Sequence, residues 1–194
     1  VITIEGLIMN KIIASALTVS CVALLSACSG MKSPMGMDKP FTQDGLADAV
    51  KVPAGHKVDM QTVGVGLITY ECKAKADMPG TFGWVFVGPQ ADLLSRGGAK
   101  LGSYFGPPAT WVSTDGSSIT GTQLTVAPGG AGNIPLQLVK ANPSTGAGAM
   151  SGVTYIQRVA TQGGVAPAST CDGGKLGQKE TVKYQADYIF WKAA

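Results

Sequence analysis

Four cysteines, a single histidine and a few isolated carboxylates are the residues of this 194-residue chain that could carry chemistry. Cys72 and Cys171 stand too far apart to form a C-x-x-C redox motif. His56 is the only histidine, so His-rich metal sites and histidine pairs are excluded, and a Ser-His-Asp triad would have to use a residue on the approach to the first strand. After Pro53-Ala54-Gly55 it reads more simply as an exposed loop histidine. Asp115 and Asp187 could pair as acid and base for glycoside-type hydrolysis, yet a turn explains the first and the solvent face of a strand the second. No G-x-S-x-G occurs, Gly174-Lys175 is followed by Leu176 where a phosphate loop needs Ser or Thr, and Gly129 to Gly132 reads as a loop. Met31, Met35 and Met37 would suit Cu(I), but no His or Cys joins them. We therefore assign no catalytic residue, no metal and no cofactor. Trp84, Tyr104, Phe105, Trp111 and Trp191 form either a stacking platform for a sugar or partner, or core. Trp84, Tyr104, Trp111, Arg158 and Asp187 are the candidate ligand-binding residues.

The first part of the chain reads as an address. Met9-Asn10-Lys11 is a basic start, Ile12 to Leu25 an apolar run, and Leu25-Ser26-Ala27-Cys28 a small-residue cleavage zone, the order of a secretory signal. The apolar run falls short of the ~20 residues that span a bilayer core, which argues against a transmembrane anchor. Leu25 to Cys28 resembles the lipobox of bacterial lipoprotein signals, making Cys28 the expected lipidation site and the new N-terminus. Residues 1–8 precede Met9 and read as an upstream extension. Residues 28–43, with no period of either 2 or 3.6 residues from Ser29 to Pro40, are the expected tether. Residues 44–194 are then one domain. The expected address is the cell envelope, anchored to the membrane by lipid, with Ser29 after the cysteine favouring the outer membrane, on its periplasmic face or its surface. Cys21 leaves with the signal and Cys28 takes the lipid, so two thiols reach an oxidising compartment. They form one disulfide or remain two buried free cysteines.

With 27 glycines and 11 prolines, long helices are disfavoured, while 45% hydrophobic residues supply a real core. The charge of +3 comes from scattered lysines, which excludes a nucleic-acid stripe. Gly66 to Cys72 alternates with Ile68, Tyr70 and Cys72 on one face. Trp84 to Val87 is a short run closed by Gly88-Pro89. Thr110 to Ser113 and Ser118 to Thr122 flank Asp115-Gly116 as a hairpin. Ile134 to Lys140, Gly152 to Thr161 and Thr181 to Trp191 are further strands. In the last, Val182, Tyr184, Ala186, Tyr188 and Phe190 share one face, whereas Gln185, Asp187, Ile189 and Trp191 share the other, and a strand this apolar on one side must be covered. Short helices are expected at Pro89 to Ser95 and Asp44 to Val50. Seven to nine strands favour an all-β antiparallel sandwich or Greek-key barrel with one or two short helices.

Several blocks, in order, resemble the secreted family catalogued as domain of unknown function 3455. They are Val65 to Cys72, Tyr104 to Trp111 with Asp115-Gly116-Ser117, Gly152 to Val159 with Gly163 to Pro167 and Cys171-Asp172, and Tyr184 to Phe190. The likeness runs from about Val52 to Trp191. Cys72 and Cys171 fall in two of the blocks, which supports their pairing. Family members often carry a His in the block that here begins Tyr104-Phe105 and a Glu or Gln where Val112 follows the Trp, so the resemblance implies no histidine mechanism. A malate dehydrogenase label sometimes attached to the family finds no dinucleotide fingerprint in this chain. An anchor without a catalytic set implies a non-catalytic binding or structural envelope domain, with a polysaccharide or an envelope protein as partner. The alternative is an extracellular or periplasmic hydrolase of a cell-wall or extracellular polymer, working through Asp115, Asp172 or Asp187.

Overall fold

The structure, a computed structural model, describes residues 40–194. The leader, Cys28 and the tether up to residue 39 lie outside the described residues. Eight antiparallel strands form one sheet: β1 (His56–Ala74), β2 (Phe82–Leu94), β3 (Lys100–Phe105), β4 (Thr110–Ser113), β5 (Ser118–Ala127), β6 (Leu136–Ala141), β7 (Val153–Gly163) and β8 (Lys179–Ala193). Each strand pairs with its neighbour in sequence, and β8 returns to pair with β1, so the sheet closes into a barrel. The all-β antiparallel expectation holds, but the order is up-and-down, neither a sandwich nor a Greek key. The physical reason lies in the two terminal strands. At 19 and 15 residues, β1 and β8 are long enough to zip together from Glu71–Lys179 to His56–Ala193, and closure leaves no exposed edge.

The expected helix at Pro89 to Ser95 is instead the second half of β2, which does not stop at Gly88-Pro89. Ala91 and Leu93 point inward while Gln90 and Asp92 are exposed, a period of two, and the segment pairs with both β1 and β3. Pro89 follows a bulge between β1 and β2, a position that tolerates its missing N–H. Gly97-Gly98 closes the β2–β3 turn rather than a helix. Of the expected helix at Asp44 to Val50 only a single 3-10 turn, Asp48–Val50, forms.

An eight-stranded barrel is just wide enough for side chains to fill. Here the filling is aromatic. Tyr104 stacks on Trp111 with centroids 4.8 Å apart, Tyr188 leans on Tyr104 at 4.9 Å, and Phe190 meets Trp111 edge-on at 6.5 Å. Glycines on the wall make room: a Cβ on Gly64 would stand 2.5 Å from the Tyr188 ring.

The apolar face of β8 with Tyr184, Ala186, Tyr188 and Phe190 is covered by the barrel interior, and the outer face is covered as well at Ile189 and Trp191. Residues 41–52 run across the outside of the barrel, seating Val50 and Val52 against Val159, Ile189 and Trp191, with Phe41 edge-on to Trp191 at 6.1 Å. Gln157 on β7, fully buried, ties this strap down. Its amide nitrogen donates to the Val50 carbonyl and, at 2.9 Å, to the Gln43 side chain, while its oxygen accepts from the Trp191 indole at 2.9 Å. Val50 and Trp191 are buried with it and Gln43 is half-buried, so losing the glutamine would leave the Val50 carbonyl and the Trp191 indole without this partner.

Cys72 and Cys171 form a disulfide with Cα atoms 5.5 Å apart, tying the end of β1 to the β7–β8 loop across 99 residues of sequence. In the loop-entropy picture such a closure contributes up to about 4.7 kcal/mol, with measured bridges nearer ~2–4. Cys72→Ser and Cys171→Ser are each expected to destabilise the barrel by about 2–4 kcal/mol in denaturant titrations, and the double variant by no more, because either change removes the whole bridge. Additive losses would contradict this.

Candidate functional site

The up-and-down order places the β1–β2, β3–β4, β5–β6 and β7–β8 connections at one end of the barrel, and at that end the stacked rings do not fill the bore. A cavity of about 340 Å³ opens there. Its apolar wall comes from Ile68 and Tyr70 of β1, Phe86 of β2, Tyr104 of β3, Pro107 of the β3–β4 connection and Ile134 of the β5–β6 connection. The polar lining is Gln123 of β5, Gln137 of β6 and Arg158 of β7, with no Asp or Glu.

Arg158 lies inside because of register. It pairs with Tyr188 on one side and Gln137 on the other, and its neighbours Gln157 and Val159 face outward under the strap. Nε and Nη2 both donate to the Pro135 carbonyl, at 3.2 and 2.9 Å, which fixes the guanidinium plane. Just beyond, Ala160 adopts φ 48° where β7 slips register against β8, a bulge of the kind that re-aims side chains beside a site.

The phenols of the bore stay neutral. Burial pushes Tyr184 up to about 12 and Tyr188 well above the usual phenol value, against a smaller opposing pull from Arg158. Tyr70 and Tyr104 are raised by the same cause. They therefore act as hydrogen-bonding groups. Tyr70 donates to the Gly164 carbonyl at 2.7 Å, and the hydroxyls of Tyr184 and Tyr188 pair at 3.3 Å.

Of the five candidate ligand-binding residues, the structure brings two to the cavity, Tyr104 and Arg158. Trp111 is fully buried behind Tyr104, and its indole N–H has no partner among the described residues. Trp84 braces the β7–β8 loop, donating to the Ser169 carbonyl at 2.8 Å. Asp187 sits on the outer face, paired with Arg96 at 2.7 Å. Tyr70, Phe86, Gln123 and Gln137 were missed; Tyr70 was legible as inward-facing, whereas the bulge between Thr69 and Tyr70 hides the alignment of Phe86 with it.

The carboxylates named for hydrolysis are each engaged in separate local structure. Asp172 accepts from the Gly174 N–H at 2.9 Å, capping a 3-10 turn, and Asp187 holds Arg96. His56 stacks edge-on against Tyr155 at 4.9 Å on the barrel exterior. No group of three or more His, Cys, Asp or Glu suited to a metal occurs among the described residues.

A match to the family described as Protein of unknown function (DUF3455) runs over residues 53–192, taking in the whole ring of strands and stopping short of the strap. No curated protein and no solved structure matches the chain.

Asp115 works at the opposite end of the barrel. One carboxylate oxygen accepts from the Ser117 N–H at 2.9 Å and its hydroxyl at 2.6 Å, the other from the Ala149 N–H at 2.8 Å, and Ser117 in turn accepts from the Met150 N–H at 3.1 Å. The β4–β5 hairpin is thereby clasped to the β6–β7 loop, and Met150 is held in the bore. These bonds, that from the Ser117 hydroxyl foremost, hold the Asp115 carboxyl well below the usual carboxylate range. A depressed folded-state pKa stabilises above the unfolded value, about 3.9, and loses that contribution as pH falls toward the folded value. Asp115→Asn is expected to melt below wild type at neutral pH, with the gap narrowing as pH drops below about 4. A gap that is constant with pH in calorimetric scans would show that the carboxylate charge plays no part.

Proposed function

The chain belongs to the DUF3455 family, and we propose that it is a non-catalytic binding protein of the cell envelope that takes a small ligand in the open mouth of its barrel. The observation that carries this reading is the cavity itself. At about 340 Å³ it falls within the usual range for small-molecule sites, and aromatic and aliphatic walls with a few fixed polar groups are the usual composition of such sites. The walls come from most of the strands of a closed sheet, so the shape exists before the ligand arrives and little ordering opposes binding. A mouth that is concave and bounded by loops suits a small molecule, or one end of a larger one, better than a flat platform would. No carboxylate, cysteine, serine or histidine lines it, which supports binding over hydrolysis.

The test is a neutral fluorescent probe, phenylnaphthylamine, titrated into the full-length protein. Wild type should bind it saturably. Gln123→Trp, which places an indole at the cavity rim where the present side chain is exposed, should weaken it by about tenfold or more with an unchanged melting temperature. Absence of saturable binding, or equal binding by the variant, would overturn the reading.

The same proposal places the barrel on a lipid at Cys28, with residues 29–39 as tether. One acyl chain binds membranes only marginally, at ~0.8 kcal/mol per buried CH₂, so residence requires more than one chain. Wild type is expected in the membrane fraction of cells and Cys28→Ala in the soluble fraction or unprocessed; unmodified wild type in the soluble fraction would remove the anchor from the proposal.

A further inference from the structure

A guanidinium offers two edges for forked hydrogen bonding. In Arg158 the edge formed by Nε and Nη2 is taken by the Pro135 carbonyl, which leaves the edge ending in Nη1 without a partner among the described residues. Among the described residues Lys51, Lys73, Arg96, Lys100 and Lys192 each hold an acidic side chain, while Lys57, Lys75, Lys140, Lys179 and Lys183 are exposed to solvent. Arg158 is half-buried at the cavity without an acidic partner, and no acid lines the space in front of it. A half-buried cation among apolar walls is costly unless an opposite charge completes it.

We infer that the ligand of this mouth is a small, flat organic carboxylate whose carboxylate group meets the free edge of the Arg158 guanidinium while its apolar body lies among Tyr70, Phe86 and Tyr104. The inference rests on the binding reading above and names the ligand class. A carboxylate is planar and spans such an edge with two parallel hydrogen bonds. The cavity holds one cation, so a single negative charge is matched, and the second charge of a phosphate monoester dianion would enter apolar surroundings uncompensated. The rings are arranged for a flat body, with Phe86 edge-on to Tyr70 at 6.1 Å and 81°. The Gln137 amide donates to the Gln123 side-chain oxygen across β5 and β6, and among the lining residues the guanidinium is the one charged group.

Naphthoate and naphthamide share a flat body and differ in charge. Titrated calorimetrically into the full-length protein, naphthoate should bind at least about tenfold more tightly. Arg158→Gln should bring the two ligands to parity, and Arg158→Lys should keep part of the preference. Gln137→Glu supplies a carboxylate directly across the ladder from Arg158, leaves the arginine in place, and should abolish the preference even if Arg158→Gln fails to fold. Equal binding of the two ligands by wild type, a preference that survives Gln137→Glu, or displacement of naphthoate by inorganic phosphate at comparable concentration would each overturn the inference. In those cases continued binding of naphthamide and phenylnaphthylamine would leave the binding reading standing. Failure of wild type to bind any of the three would overturn both.

Discussion

The pairing of β8 with β1 is the contact on which the rest of the molecule depends. It converts eight strands into a tube whose bore is set by strand number, and the bore then dictates which residues may face inward. Around the middle the space is consumed by Tyr104, Trp111, Tyr188 and Phe190, and glycine must stand opposite: at Gly64 no side chain would coexist with Tyr188. Toward the mouth the same width is lined but unfilled, because Ile134 and Pro107 belong to connections that stand around the opening instead of crossing it. The cavity is thus a consequence of closure with incomplete filling and requires no separate structural device.

Closure also explains what could be read from the sequence. The β4–β5 hairpin was legible because Asp115-Gly116 is local turn chemistry, with Gly116 at φ 87°, and the inward face of β8 because Tyr184, Ala186, Tyr188 and Phe190 alternate without a break. The order of the strands was not legible, since alternation says which face is buried and nothing about which edge a strand joins. Pro89 to Ser95 misled because proline at the start and glycines after the end are helix punctuation, while the deciding fact is the presence of β1 and β3 on either side of the segment.

Arg158 was named as a candidate from the sequence and lines the cavity, but the face it takes on β7 was not legible. In β7 the strap makes the outside of the barrel as dry as the inside, so Val159 outside and Ile156 inside are both buried, and hydrophobic periodicity no longer distinguishes the two faces. Two register slips with β8 compound the ambiguity. A fully buried glutamine at 157 beside a half-buried arginine at 158 makes sense only when the strap is known: Gln157 serves Gln43, Val50 and Trp191 outside the sheet, and Arg158 serves the cavity within it. Neighbouring polar residues on opposite faces thus have unrelated roles.

The two ends of the barrel complete the physical picture. At the lower end Asp115, Ser117 and the β6–β7 loop close on one another and hold Met150 in the bore, so the tube has a floor. At the mouth the β7–β8 loop is held by the Cys72–Cys171 bridge, the Trp84 hydrogen bond to Ser169 and the Tyr70 hydrogen bond to Gly164. Tyr70 belongs to both systems, since its hydroxyl anchors this loop while its ring lines the cavity. The covalent tie therefore acts close to the site, restraining the loop that Tyr70 braces and with it the ring that a ligand would touch. Fixing the wall in advance favours selective binding by shape and by a single placed charge, because the cost of ordering the site is met during folding rather than on each encounter.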